Sequence, residues 1–121
     1  MNFNKFLNKV IDNGIAAAKK DYTSNDEKRN GSIAGFDACR DKTHEELLEV
    51  WQDSLDYVEE ARKERSDNYW WFRCYQLEVE WVLNVVSVVL VNEGQEPLLN
   101  WLPTANAYMA ADKVLKELYE K

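Results

Sequence analysis

The chain has 121 residues, 45 % of them hydrophobic and 12 % aromatic, which is enough for one compact domain with a sizeable core and too little for two. Its 22 acidic and 15 basic residues give a formal net charge of −7, which disfavours direct binding to nucleic acid or to an anionic membrane and favours basic partners. The N-terminal sequence MNFNKFLNKV has no continuous apolar segment, so we expect a cytoplasmic protein rather than a secreted one.

The first predicted element is an amphipathic helix from Asn4 to about Asp21. Its apolar residues recur at three- and four-residue spacing: Phe3, Phe6, Leu7, Val10, Ile11, Ile15 and Ala18. The polar stretch from 22 to 31 is rich in turn-forming residues and predicts an exposed loop. The following sequence SIAGFDACR predicts one short helix, which Gly35 disfavours by about 1 kcal/mol relative to alanine.

Thr43 and Glu46 have the spacing of a capping box and predict the start of a third helix. Its apolar residues keep helical spacing: Leu47, Leu48, Trp51, Leu55 and Val58. Thr104 predicts the start of a last helix in the same way. The inner face of that helix is predicted to hold Ala107, Tyr108, Ala111, Val114, Leu115 and Leu118.

The segment from Asp67 to Asn92 is apolar around most of its circumference and predicts a central helix that is covered on at least two sides. Ser66 and Asp67 are candidate N-caps, and Gly94 is the expected C-cap. Polar residues interrupt the apolar run too often for a membrane span. With no two-residue alternation anywhere, we predict an all-α fold: one compact domain over residues 1–121, with four long helices and one short one.

The third helix carries a row of carboxylates opposite its apolar face, which we call the acidic ridge. It consists of Glu46, Glu49, Asp53, Asp56, Glu60 and Glu64. One carboxylate per turn of about 5 Å resembles the charge spacing of a nucleic-acid backbone and would attract a basic groove on a partner protein. The alternative interpretation is an ordinary solvated helix face, which is common in soluble helical proteins.

The central helix carries a polar stripe that includes Arg73, Glu80 and Asn84, and Glu78 lies almost opposite to it. One hypothesis is a polar pocket for a small charged ligand, built from Arg40, Arg73, Glu78, Glu80 and Asn84. The other is that the stripe faces solvent and that Glu78 pairs with a cation, with Arg40 as the first candidate and Arg73 as the second, because an unpaired buried charge is costly.

The segment EPLLNWLP is unusually apolar for a loop. Leu99, Trp101 and Leu102 in it, together with three tryptophans on or beside the central helix, predict a surface for a homodimer or for a partner protein. We call this segment the Trp101 loop. One histidine, His44, and two distant cysteines, Cys39 and Cys74, do not suffice for a zinc site, so we expect free thiols, no metal and no cofactor.

The string HEELLE resembles the first half of the carboxylate motif of MazG-like nucleotide pyrophosphohydrolases. These all-α enzymes gather carboxylates from two helices around Mg²⁺. The resemblance implies a Glu and an Asp three residues apart on a neighbouring helix. The central helix has Glu78, Glu80 and Asn84 instead, so this enzyme class is an alternative with half of its motif.

Three strings, AGFDACR, DNYWWFRCYQLEVEWVLNVVS and LPTANAYMAAD, resemble a group of small uncharacterised proteins of tailed phages and prophages, over about residues 33 to 115. The resemblance implies no activity and no catalytic residues. It suggests a small acidic protein that binds and inhibits a host or defence protein, such as a CRISPR component, in the host cytoplasm. The rivals are the MazG-like hydrolase, a protein that sequesters a metabolite or signalling nucleotide, and a structural phage component.

Overall fold

The computed structural model describes residues 1–120, and the secondary structure of this part of the chain is entirely α-helical. The five helices are α1 (Phe3–Asp21), α2 (Asp26–Ala38), α3 (His44–Lys63), α4 (Tyr69–Asn92) and α5 (Ala105–Tyr119). The predicted all-α fold, with four longer helices and one short one, is confirmed.

Helix α4 is the centre of the fold, as predicted, because it contacts all four other helices. Every residue of α4 from Val85 to Leu90 is buried, and Val82, Leu83, Val85 and Val86 have no exposed surface. By length and composition α4 would also qualify as a membrane span. Just over half of its most apolar window is buried inside the fold, as is usual for the core helix of a soluble protein.

Helix α2 begins at Asp26, so the prediction of a loop from 22 to 31 is wrong beyond Asn25. The Asn25 side chain accepts a hydrogen bond from the Lys28 amide and caps the helix, and Asp26 and Glu27 complement the helix dipole in the first turn. The polar composition that indicated a loop is therefore the N-terminal signal of a helix.

Helices α2 and α4 pack with their backbones almost in contact. A Cβ atom at Gly31 would lie 2.3 Å from the Trp71 carbonyl oxygen, and one at Gly35 would lie 2.5 Å from that of Tyr75. Gly31 lies against Trp71, and Gly35, four residues later, lies against Tyr75, which is also four residues later. Helices α2 and α4 therefore run parallel. Two glycines four residues apart share one helix face, which allows this close approach. We call Gly31 and Gly35 the glycine seat.

The helix ends follow standard capping geometry. The capping box of Thr43 and Glu46 is present, and the Thr104 side chain caps α5, as predicted. The C-cap of α4 is Glu93 rather than the predicted Gly94. Gly94 follows it at φ +78°, and the Gln95 amide donates to the Leu90 carbonyl oxygen.

The start of α4 differs from the prediction. Its N-cap is Asn68 rather than Ser66 or Asp67, and the helix begins at Tyr69 because the turn after α3 uses the preceding residues. In this turn Arg65 has a φ of 50°, and the Ser66 amide donates to the Ala61 carbonyl oxygen at 2.9 Å. An arginine therefore occupies the left-handed position that glycine holds after α4.

Candidate functional site

The acidic ridge lies on the solvent side of α3, as predicted. All six of its residues are exposed, and none of their carboxylates is in an ion pair within residues 1–120. The Glu46 side chain already takes part in the capping box, because it accepts a hydrogen bond from the Thr43 amide at 3.0 Å. Hydrogen bonding with Thr43 lowers the pKa of Glu46. The remaining five carboxylates are available to a partner.

The basic residues of α3 leave the ridge without neutralisation. Arg62 and Lys63 both pair with Glu59, which is not a ridge residue. Their distances of 3.8 and 4.0 Å are those of loose surface pairs. The negative field of the ridge is therefore not cancelled by the basic side chains of its own helix.

Helix α3 is attached to the protein mainly on one side. Its extensive helix contacts are with α4, and two ring contacts supplement them: Phe3 on His44, and Trp101 on Trp51. Its buried residues are few and lie on the α4 side, for example Leu47 and Val58. A partner protein can consequently reach most of the circumference of this helix.

An aromatic cluster borders the C-terminal part of the ridge. The rings of Tyr57 and Phe72 lie 6.0 Å apart, Tyr57 and Tyr75 lie 6.1 Å apart, and Trp71 stacks on Tyr75 at 5.6 Å. Tyr57 remains 42 % exposed at the edge of this cluster, beside Glu60. Sequence analysis missed this feature, although Tyr57 and Glu60 are three residues apart and must share one helix face.

Only part of the Trp101 loop is exposed to solvent. Leu99 is 4 % exposed and belongs to the core, so its prediction as a partner-contacting residue is wrong. Its side chain points inward because the Ser87 hydroxyl accepts a hydrogen bond from the Leu98 amide at 3.0 Å and holds the loop against α4. Trp101 and Leu102 are exposed, as predicted, and Met109 of α5 is exposed as well.

The predicted polar pocket does not form as one site. Arg40 binds Asp12 at 2.9 Å and Asp37 at 3.5 Å. Arg73 donates to the Gln76 side chain, one turn along the same helix. The Asn84 amide donates to the Glu80 carbonyl oxygen at 3.2 Å and thus bonds within its own helix.

Glu78 pairs with neither arginine, so both predicted partners are wrong. Asp21, at the end of α1, is the charge that acts on Glu78, whereas Arg40 binds Asp12. Nine residues separate these two aspartates, about 13 Å along a helix. Burial, with a smaller contribution from the like charge of Asp21, raises the pKa of Glu78 to about 7. Below about pH 7, the carboxyl group avoids the cost of an unpaired charge by holding its proton.

The two cysteines are free and buried. Burial raises the pKa of Cys39 to about 12 and raises that of Cys74 as well, so both thiols stay protonated and poorly nucleophilic. Within residues 1–120, no three His, Cys, Asp or Glu side chains converge in a way that could hold a metal ion. The carboxylates of HEELLE therefore lack the second set that a MazG-like magnesium site requires.

No protein-family model, curated protein or solved structure matches the chain.

Proposed function

We propose that this chain is a binding protein that engages a basic partner protein through the acidic ridge of α3. The observation that supports the proposal is a row of exposed carboxylates on α3, none of which is in an ion pair within residues 1–120. The basic side chains of the same helix, Arg62 and Lys63, lie nearest to Glu59, outside the ridge. Unpaired charge of one sign raises the association rate with an oppositely charged surface and selects against partners of the same sign.

The partner class follows from the spacing of the ridge and from the resemblance to phage proteins. Carboxylates at steps of about 5 Å along a helix present a line of negative charge to a groove that ordinarily holds nucleic acid. In a phage context, such a groove belongs to a host or defence protein, and the bound ridge would block it. The proposed activity is therefore inhibition by occupation of a basic nucleic-acid-binding groove.

The test is capture of partners from a lysate of the bacterial host by the wild type and by the variant Glu49→Lys, Asp53→Lys, Asp56→Lys. A matched control reverses three exposed carboxylates elsewhere: Glu93, Glu96 and Asp112. We expect the wild type and the control to retain a nucleic-acid-binding protein that mass spectrometry identifies, and the ridge variant to lose it. Surface substitutions change stability by about 0.5 kcal/mol or less each, so all three proteins should melt alike.

Salt dependence provides a second measurement on the purified pair. Because counterions screen exposed charges, the affinity of the wild type should fall steeply between low and physiological ionic strength. Equal capture by the wild type and the ridge variant would refute the proposal, as would an affinity that salt does not change.

A homodimer or a further partner contact is proposed for the Trp101 loop. Trp101, Leu102 and Met109 are 42 %, 68 % and 69 % exposed, which places three large apolar side chains on the surface near one end of α5. Native mass spectrometry of the wild type and of Leu102→Asp tests this. A dimer that the substitution abolishes supports the proposal, and a wild type that is monomeric at high concentration excludes the homodimer.

A further inference from the structure

A groove lies at the C-terminal end of α3, where the chain turns into α4. It is lined by Tyr57, Glu60, Ala61, Glu64, Ser66 and Phe72, and encloses about 200 Å³. Three α3 residues and the C-cap Glu64 share one helix face, because Glu60, Ala61 and Glu64 follow Tyr57 by three, four and seven residues. Ala61 is small and buried, which leaves room between the flanking side chains. We call this feature the aromatic groove.

The walls of the aromatic groove are suited to a cation. The rings of Tyr57 and Phe72 lie 6.0 Å apart, and aromatic faces carry partial negative charge that attracts guanidinium or ammonium groups. Glu60 and Glu64 add two carboxylates at the rim, and neither is in an ion pair within residues 1–120. Ring faces and carboxylates both repel anions, so the groove favours a positively charged ligand.

No lysine or arginine of the described part of the chain, residues 1–120, lines this groove. Arg62 and Lys63 bind Glu59 on another face of α3, and Arg65, in the turn, is not among the lining residues. The protein does use ring-cation contact elsewhere, since the Lys28 ammonium lies 4.8 Å from the centre of the Trp70 ring.

We propose that the aromatic groove binds an arginine side chain of the basic partner. This rests on the proposed function, because the groove continues the acidic ridge through Glu60 and gives its partner one anchoring residue. Arginine fits better than lysine, since its planar guanidinium stacks on a ring face and bonds a carboxylate through two donors at once. The ridge then supplies attraction along α3, and the groove supplies chemical selectivity at its end.

The probes are two peptides, nona-arginine and nona-lysine, with affinities measured by isothermal titration calorimetry. Tyr57→Leu removes a ring without changing charge. A first double variant, Glu60→Gln with Glu64→Gln, removes two negative charges at the groove. The matched control, Glu49→Gln with Asp53→Asn, removes two negative charges of α3 outside the groove. Circular dichroism confirms that each variant is folded.

We expect Tyr57→Leu to weaken nona-arginine binding about 5-fold and nona-lysine binding less, because arginine gains more from the ring. The groove double variant should weaken nona-arginine about 10-fold, against about 3-fold for the control, because only the groove offers a bidentate contact. If Tyr57→Leu does not fold, the two double variants, whose changed residues are all exposed, decide the question.

Three results would overturn the groove assignment: equal effects of the two double variants, wild-type binding by a folded Tyr57→Leu, or no preference for arginine. In these cases the ridge proposal still stands, since capture of the host protein depends on Glu49, Asp53 and Asp56. Conversely, arginine binding in the groove without capture through the ridge would refute the proposed function and leave a guanidinium site.

Discussion

Glu78 is a partly buried carboxyl group that forms no ion pair within residues 1–120. The titratable groups that interact electrostatically with Glu78 are Asp21 and Tyr22, at the end of α1, and Cys74, one turn earlier on α4. None of the three is positive, so the electrostatic environment favours the neutral acid. Helical periodicity located this residue correctly on the buried side of α4, but it contains no information on which side chain of another helix stands opposite.

The raised pKa of Glu78 predicts a pH dependence of stability. Between the ordinary value of 4.5 and about 7, the folded state holds a proton that the unfolded state releases, so the stabilisation is complete below pH 4.5 and is lost as pH rises through 7. At about 1.4 kcal/mol per pKa unit, the loss is roughly 3.5 kcal/mol at most. Glu78→Gln should therefore be more stable than the wild type at pH 8 and about equally stable at pH 4, below the ordinary pKa of the carboxyl group.

Urea denaturation of both proteins at several pH values measures this difference. The difference between the two proteins removes the contribution that other carboxylates make to the pH dependence of stability. Asp41 is one of these, since hydrogen bonds from Asn8 and Asn4 lower its pKa. Glu96→Gln, at an exposed position, is the control and should follow the wild type at every pH. Parallel stability curves for Glu78→Gln and the wild type would contradict the prediction.

At the scale of the element, α2 shows where local reasoning fails. The polar and turn-forming residues in its first turn predict a loop, and Gly35 disfavours the rest of the helix. Packing reverses both arguments, since Asn25 caps the helix and the glycine seat lets α2 lie directly on α4. The spacing of Gly31 and Gly35 was visible in the sequence, but its meaning depends on the neighbouring helix.

Gly35→Ala tests the glycine seat. Alanine favours a helix by about 1 kcal/mol over glycine, yet the added Cβ would lie 2.5 Å from the Tyr75 carbonyl oxygen and push two backbones apart. Overpacking of this kind costs about 1 to 3 kcal/mol, so we expect net destabilisation in urea. The control Asn30→Ala, exposed on the same helix, should not be destabilised. A Gly35→Ala variant more stable than the wild type would show that propensity outweighs packing.

Other elements followed from sequence because their signals are local. The capping box at Thr43, the cap at Thr104 and the amphipathic face of α1 depend on residues within one or two turns of each other. The acidic ridge was predictable for the same reason, as six positions on one helix. The aromatic groove was not, because Phe72 and Tyr57 belong to different helices and meet only when α3 turns back along α4.

At the scale of the whole molecule, the parallel arrangement of α2 and α4 determines the position of α3. A chain that leaves α2 and must enter α4 in the same direction needs a returning segment, and α3 is that segment. It runs back along α4, which is the helix that it contacts most, and ring contacts join it to Phe3 and Trp101. Helices α1, α2, α4 and α5 contact one another directly, and these contacts do not involve α3.

This arrangement predicts an unequal distribution of stability. Elements with few buried contacts open at lower free energy than the core, so the amides of α3 should exchange with deuterium before those in the second half of α4. Hydrogen-exchange mass spectrometry at neutral pH resolves the two segments. Simultaneous exchange of α3 and α4 would mean that the five helices unfold as one unit.

The glycine seat also has a consequence for evolutionary history. A position where a backbone fills the space of a side chain accepts almost no replacement, whereas a solvated carboxylate can drift between aspartate and glutamate at little cost. Among descendants of a common ancestor, positions 31 and 35 should therefore change last. The ridge should vary in identity while keeping its charge, and the contrast between the two would separate inheritance of the fold from selection for the partner.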